Sequence, residues 1–414
     1  MTNTFRYISL IIISISLFSC GRKDFQRESG QLESFAEMVQ AGVKPIALSP
    51  PMSSAELQLF MPEANRLAEK YELSIFRETE LISTDLFADS MVTNKEVLIL
   101  YKGQSLAAYQ TLKSEAVELA TSGEYSGAKK EAISRAFGRL LGYPAWRIND
   151  LLAENSDFRD LKDFGIQGQE LIWFYRNLPV AKAFYENTLG MKLISENDNS
   201  ATFQIVGDSK LVLKSIDGSE YSGREAKSVA LALLTDNLEV WYKHLEDRNV
   251  EIKYTLKVKP EGAHDGFVAV DPEGYLLEFE MFRKHPENER LIPELKSLTP
   301  QATSLGGTFN FYASITWLYY EDMLPMENFM MENLGLELIT DQGWAKLYRV
   351  SENSYLGLVD EKRGMNTFSA EKLVEVKFDL EESKGWEEYL VKTSNDSTRI
   401  GGTFKDLGGY LFRF

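Results

Sequence analysis

The sequence predicts an α+β fold: two tandem cups of curved mixed sheet, each made of paired βαβββ units, preceded by a small α/β domain. Two observations carry that prediction. The chain repeats itself at a spacing near 145 residues, and each copy reads as strand, helix and three strands, twice over. Composition sets the bounds. Over 414 residues, 44% hydrophobic, 12% aromatic and 26% charged side chains describe a globular chain, long enough for two or three domains.

The first elements concern export rather than fold. Arg6 gives a positive start, and Ile8 to Phe18 is an almost unbroken apolar run, too short to span a bilayer as a helix. Ser19 then precedes Cys20, the one cysteine of the chain. A small residue directly before a lone cysteine resembles the lipobox of bacterial lipoproteins. That resemblance implies cleavage of residues 1–19 as a signal peptide and acyl chains, palmitate among them, on Cys20. Residues 20–34 read as a polar tether. The expected place is the cell envelope, with the protein part periplasmic or surface-exposed and the membrane reached through lipid. With no second thiol, stability must come from packed cores. A formal charge of −17 repels phosphate backbones and excludes nucleic acid as a partner.

Residues 35–165 alternate strand and helix. Pro45 to Leu48 and Val97 to Tyr101 read as strands. Ala55 to Glu72 has helical periodicity with Ser54 as its cap, Ser105 to Leu119 is helical, and Lys129 to Glu154 is a long helical pattern broken at Gly142-Tyr143-Pro144. This stretch has no His, phosphate loop or nucleophile motif, so it names no chemistry.

The repeat begins after it. Trp173-Phe174-Tyr175 finds an echo in Trp317-Leu318-Tyr319, at a spacing of 144. Leu189-Gly190 matches Leu334-Gly335 and Trp241 matches Trp386, both at 145, which implies a one-residue insertion. Asp271-Pro272-Glu273-Gly274-Tyr275 matches Asp406-Leu407-Gly408-Gly409-Tyr410 at 135. The copies span 168–285 and 311–414, with a Pro- and Gly-punctuated linker over 286–310. Each copy divides into two βαβββ units. Gly190 closes a helix, and Asp-Pro-Glu-Gly is a turn sequence in which Pro272 presets φ and Gly274 accepts positive φ.

Phe184-Tyr185-Glu186-Asn187-Thr188-Leu189-Gly190 and Asp271-Pro272-Glu273-Gly274-Tyr275-Leu276-Leu277-Glu278-Phe279 resemble two motifs of the vicinal oxygen chelate superfamily, which includes glyoxalases, bleomycin-resistance proteins and extradiol dioxygenases. The resemblance covers about 168–414. It implies a divalent metal held by two His and a carboxylate inside each cup, in slots that fall at Glu170, Ala230 and Glu278 in the first copy and at Ser314, Glu375 and Arg413 in the second. None is His. In the second copy Arg413 repels a cation and finds a partner in Glu375. In the first, Glu170 and Glu278 remain as weak metal candidates, with His264 the one imidazole near the cup. His244 reads as a surface residue, and His285 lies beside the linker.

Alternation places Ile172, Phe174, Arg176, Leu276, Glu278 and Glu280 inside the first cup. Thr316, Leu318 and Tyr320 then face Glu375, Lys377 and Arg413 in the second, with Trp173, Trp317, Tyr175 and Tyr319 on the helix side. The resulting expectation is a lipid-anchored protein that binds a small molecule in such a cup, with no cofactor. Two alternatives stand beside it: a lyase or dioxygenase with one divalent metal in the first cup, and a protein-binding scaffold.

Overall fold

The computed structural model describes residues 25–393 and 402–414. Cys20 and the export features lie outside the described residues. No described helix is long and apolar enough to cross a membrane. The chain forms two compact units, and they do not follow chain order.

The first unit comprises residues to Ser83 with 89–115 and 140–142. Its α1 (Gln26–Gln40) occupies much of the stretch read as tether, because Leu32, Ala36 and Val39 form a buried stripe. Helix α2 (Ser54–Lys70) is capped one residue earlier than expected: Ser53 accepts from the Glu56 backbone while the Glu56 side chain reaches back. Strands β1 (Ile46–Leu48), β2 (Ser74–Glu78) and β3 (Val97–Tyr101) pair antiparallel in the order β1-β3-β2. Strand β2 is half-polar and only partly buried, so its sequence shows no clean alternation. Leu98 and Leu100 of β3 pack on Leu57, Phe60 and Leu67 of α2.

Helix α3 (Ser105–Thr121) begins in the first unit, whereas nearly all of α4 (Gly127–Leu140) and the whole of α5 (Ala145–Asn155) belong to the second. The long helical pattern does break between Leu140 and Ala145. Arg135 donates to the Glu332 carbonyl at 2.8 Å and Asn149 to the Met331 carbonyl at 2.9 Å, which ties both helices to the repeat.

The repeat is four modules. The first is β4 (Ile166–Tyr175), α6 (Leu178–Ala183), β5 (Lys192–Asn197), β6 (Ser200–Val206) and β7 (Ser209–Ser215). The second is β8 (Val229–Leu234), α7 (Leu238–Asp247), β9 (Ile252–Lys257), β10 (His264–Val270) and β11 (Leu276–Phe282). A linker follows with α8 (Leu291–Ser297) and the hairpin β12 (Gln301–Thr303) and β13 (Gly306–Phe311). The third module is β14 (Ala313–Tyr320), α9 (Leu324–Asn328), β15 (Glu337–Asp341), β16 (Ala345–Arg349) and β17 (Ser354–Asp360). The fourth is β18 (Val374–Leu380), α10 (Ser383–Thr393), β19 (Thr403–Lys405) and β20 (Leu411–Arg413).

The two expected cups of paired modules are present, but the modules pair across the copies and not copy by copy. One sheet runs β15-β16-β17-β14-β8-β11-β10-β9 and joins the second module to the third. The other runs β19-β20-β18-β4-β7-β6-β5 and joins the fourth to the first. Each opening strand presents an edge that must be paired, and duplicated modules offer equivalent edges. Charge favours the observed choice. In the β4–β18 register Glu170 stands opposite Lys377, whereas pairing within a copy would gather Glu170 with Glu278 and Glu280. The all-buried β8 meets the apolar β14 instead.

The structure also removes the inferred insertion. Gln169 pairs with Ser209 in β4–β7, and Ser314 pairs with Ser354 in β14–β17. The spacing is therefore 145 along these strands, so Trp317 is the counterpart of Ile172, and Tyr319 of Phe174. Trp173 and Trp317 are an accidental match on opposite faces.

Asp271 explains the closing motif. Its Oδ1 accepts from the Glu273 and Tyr275 backbones, and its Oδ2 accepts from Tyr175 Oη at 2.7 Å and Tyr185 Oη at 3.1 Å. Asp406 repeats this with Tyr410 N and Tyr320 Oη. Burial raises both carboxyls, Asp406 to about 6. The motif thus locks the second module to the first across two different sheets.

Candidate functional site

The sheet of the second and third modules carries a cleft of about 200 Å³. Its floor is β11, where the period-two alternation puts Glu278, Glu280 and Phe282 on one face. Its walls are aromatic: Trp317 and Tyr319 from β14, and Trp344 from the β15–β16 turn. Arg363, Gly364 and Met365, in the loop before β18, close one side. A second lobe, also about 200 Å³, opens toward β9 and shares His264, Glu278 and Met365 with the first, adding Tyr254, Lys257 and Lys259.

Glu280 is 3% exposed, and its Oε2 has no hydrogen-bond partner among the described residues. The nearest basic group is His264 Nδ1, 3.8 Å from Oε1 and too far for a hydrogen bond. Burial pushes the Glu280 carboxyl up to about 8. Burial first, and then the charge of Glu280, push Glu278 up to about 8, while His264 pulls it the other way. At neutral pH the floor is therefore largely protonated, yet ready to ionise for a cationic partner. Arg363 stays clear of both carboxyls and lies over Trp344, its guanidinium carbon 4.9 Å from the ring centroid.

The other sheet's cup is occupied by its own ion pairs. Arg413 grips Glu375 through two nitrogens, at 2.6 and 2.9 Å, and Tyr221 Oη donates to the same carboxylate at 3.1 Å. Lys377 lies 3.3 Å from Glu170 and 3.0 Å from Asp379, and Lys210 joins the same two carboxylates. The hydrogen bond to Glu375 raises Arg413 further. The donations from Lys210 and Lys377 outweigh burial and hold Asp379 below its usual range. Tyr221 packs on Phe174 with centroids 4.4 Å apart, filling the cup.

The expected residues divide accordingly. His264, Glu278 and Glu280 converge. Glu170, Phe174, Glu375, Lys377 and Arg413 converge in the other cup, so Glu170 and Glu278 never share a site. Arg176 is an exposed rim residue bound to the Gly223 carbonyl. Ser314, Thr316, Leu318 and Tyr320 turn away from the cup. Ser314 meets Ser209 and Thr316 accepts from Gln169, while Leu318 and Tyr320 lie in the helix-side core. Trp317 and Tyr319, expected on the helix side, line the cleft. His244 is buried, not a surface residue, with Nε2 2.8 Å from the Thr188 carbonyl. Trp344 and Arg363 were missed because they lie on loops, where alternation gives no direction.

A divalent metal of the kind the resemblance implies does not fit this donor set. Where first-strand imidazoles belong, β8 offers Ala230 and Ala232, and β14 offers Trp317 and Tyr319. In the other cup Arg413 holds the carboxylate that would be a ligand. Among the described residues no group of three or more His, Cys, Asp or Glu side chains is arranged to hold a metal ion.

No curated protein matches the chain. Among solved structures, a glyoxalase I variant from Zea mays is 13% identical, with 61% of this chain and 94% of that one covered, at a TM-score of 0.42. A lactoylglutathione lyase from Agrobacterium tumefaciens is 17% identical over 27% of this chain and 90% of that one, at 0.24. A glyoxalase/bleomycin resistance protein/dioxygenase from Alicyclobacillus acidocaldarius is 27% identical over 27% and 89%, at 0.22. None of these likenesses carries an argument about activity. Residues 171–279, from β4 to β11, match the model of the Glyoxalase/Bleomycin resistance protein/Dioxygenase superfamily.

Proposed function

We propose that this protein binds a small organic molecule in the cleft of its second and third modules, without a metal centre. We propose further that it does so as an exported lipoprotein held at the cell envelope by acylated Cys20. One observation carries the binding reading. Glu280 is buried at the floor of an aromatic-walled cleft with a carboxylate oxygen that no described residue satisfies. A buried polar group left unpaired is costly, and a concave apolar site with few convergent polar groups is the usual form of a ligand pocket. The test is a fragment panel of cations, neutral molecules and anions, read by quenching of the Trp317 and Trp344 fluorescence and by thermal shift. Met365→Trp, a substitution at the cleft wall, should abolish the responses without unfolding the chain. A panel that moves neither signal in the wild type would sink the reading.

A further inference from the structure

We propose that the ligand of this cleft is a small organic cation, a protonated amine or guanidine, whose N–H groups pair with Glu278 and Glu280. The proposal rests on the binding reading above and adds the class of ligand.

The duplication supplies the argument. In the cup of the first and fourth modules, each inward carboxylate meets a cation from the chain itself. Arg413 and Lys214 attend Glu375, and Lys210 and Lys377 attend Glu170 and Asp379. In the cup of the second and third modules the counterpart of Arg413 is Glu278, and the counterpart of Glu375 is Ala230. The cation has been replaced by a carboxylate, and the first-strand carboxylate by a methyl group. No Lys or Arg nitrogen lies within 4 Å of Glu278 or Glu280 among the described residues, and His264 is the nearest basic group. Two carboxyls side by side offer acceptors once ionised, and no described residue brings an N–H or O–H to the buried Glu280 Oε2.

The walls point the same way. Ile172 and Val212 of the polar cup are replaced here by Trp317 and Gly357, which exchanges an aliphatic wall for an indole face. Tyr319 and Trp344 add two more rings. Aromatic faces attract cations, and the chain already uses one so, with Arg363 resting on Trp344. Groups that line the cleft from other elements are His264 on β10, Tyr254, Lys257 and Lys259 on the side of β9, Tyr319 on β14 and Arg363 in the loop before β18. None of them pairs with the carboxyls through a hydrogen bond. The lysines lie in the second lobe, so a cation enters over the aromatic side.

The test compares three molecules of one shape and different charge on the purified full chain: phenethylamine, 2-phenylethanol and phenylacetate, by isothermal titration. Phenethylamine should bind about tenfold or more tightly than either of the others, as expected for a charge-assisted pair in a desolvated site. In Glu280→Gln the preference should shrink to about threefold or less while the unfolding temperature is held or raised. The change removes an unpaired acid, so loss of fold is not the expected failure. Equal or tighter binding of the alcohol or the acid overturns the cationic class and leaves the cleft reading intact. Absence of binding by all three also overturns it. The fragment panel then decides whether the cleft reading falls as well. An amine preference that survives Glu280→Gln and Glu278→Gln together would place the cation elsewhere and overturn the proposal.

Discussion

The Trp317 indole occupies the space that a side chain at position 357 would need. The two residues are paired across β14 and β17, and a Cβ on Gly357 would overlap Trp317 Cε3. Gly357 is thus what lets the indole lie against the sheet as a cleft wall. Gly357→Ala should displace the ring, shift Trp emission, and cost about 1–3 kcal/mol of stability as overpacking does. Unchanged emission and unchanged denaturation would contradict this placement of Trp317.

The floor carboxyls should make stability fall with rising pH. Glu280 sits at about 8 when folded, against an ordinary value near 4.3. Between those values the folded chain keeps a proton that the unfolded chain has lost, so stability drops through that window and levels off above it. Glu280→Gln removes the ionisable group. It should leave the thermal midpoint near wild type at pH 5 and raise it by about 2–4 °C at pH 9. A variant that is less stable at pH 9 would show that the ionised carboxylate has a partner in the folded chain.

The Asp271 turn should be the costliest polar site to damage. Asp271→Ala leaves two tyrosine hydroxyls and two backbone N–H groups without their acceptor. Each buried group so stranded costs about 1–3 kcal/mol, so chemical denaturation should show a loss of at least about 3 kcal/mol. Asp406→Ala, with one tyrosine fewer, should cost less.

Metal content provides a separate check. Purified chain should hold no stoichiometric iron, manganese, nickel or zinc by elemental analysis, and Glu278→Ala should not alter that. Near-stoichiometric metal that disappears in Glu278→Ala would replace the binding reading with a metal-dependent lyase or dioxygenase.

The export proposal is tested at the N-terminus. Mass spectrometry of material from membranes should find acylated Cys20 as the first residue, and Cys20→Ala should release the protein into the soluble fraction. Full-length Met1 without acyl groups in the membrane fraction would defeat it.

The sequence by itself determined the modules. Strand alternation, the Gly190 and Gly274 turns and the repeat fixed four βαβββ-type units, and the alternation of β11 alone put Glu278 and Glu280 on the cup face. Those signals are local: a period of two, a positive φ, a preset turn. Only the tertiary structure decided which modules share a sheet, because duplicated edges are chemically alike and the choice rests on contacts distant in sequence, such as Glu170 opposite Lys377. The same distance placed Glu170 and Glu278, the two weak metal candidates, in different cups. Register was the subtler case. The matching tryptophans suggested a spacing of 144, whereas hydrogen bonding to β7 and β17 set 145, and one residue on a strand turns every side chain to the other face. That single step carried Trp317 and Tyr319 from the core into the cleft.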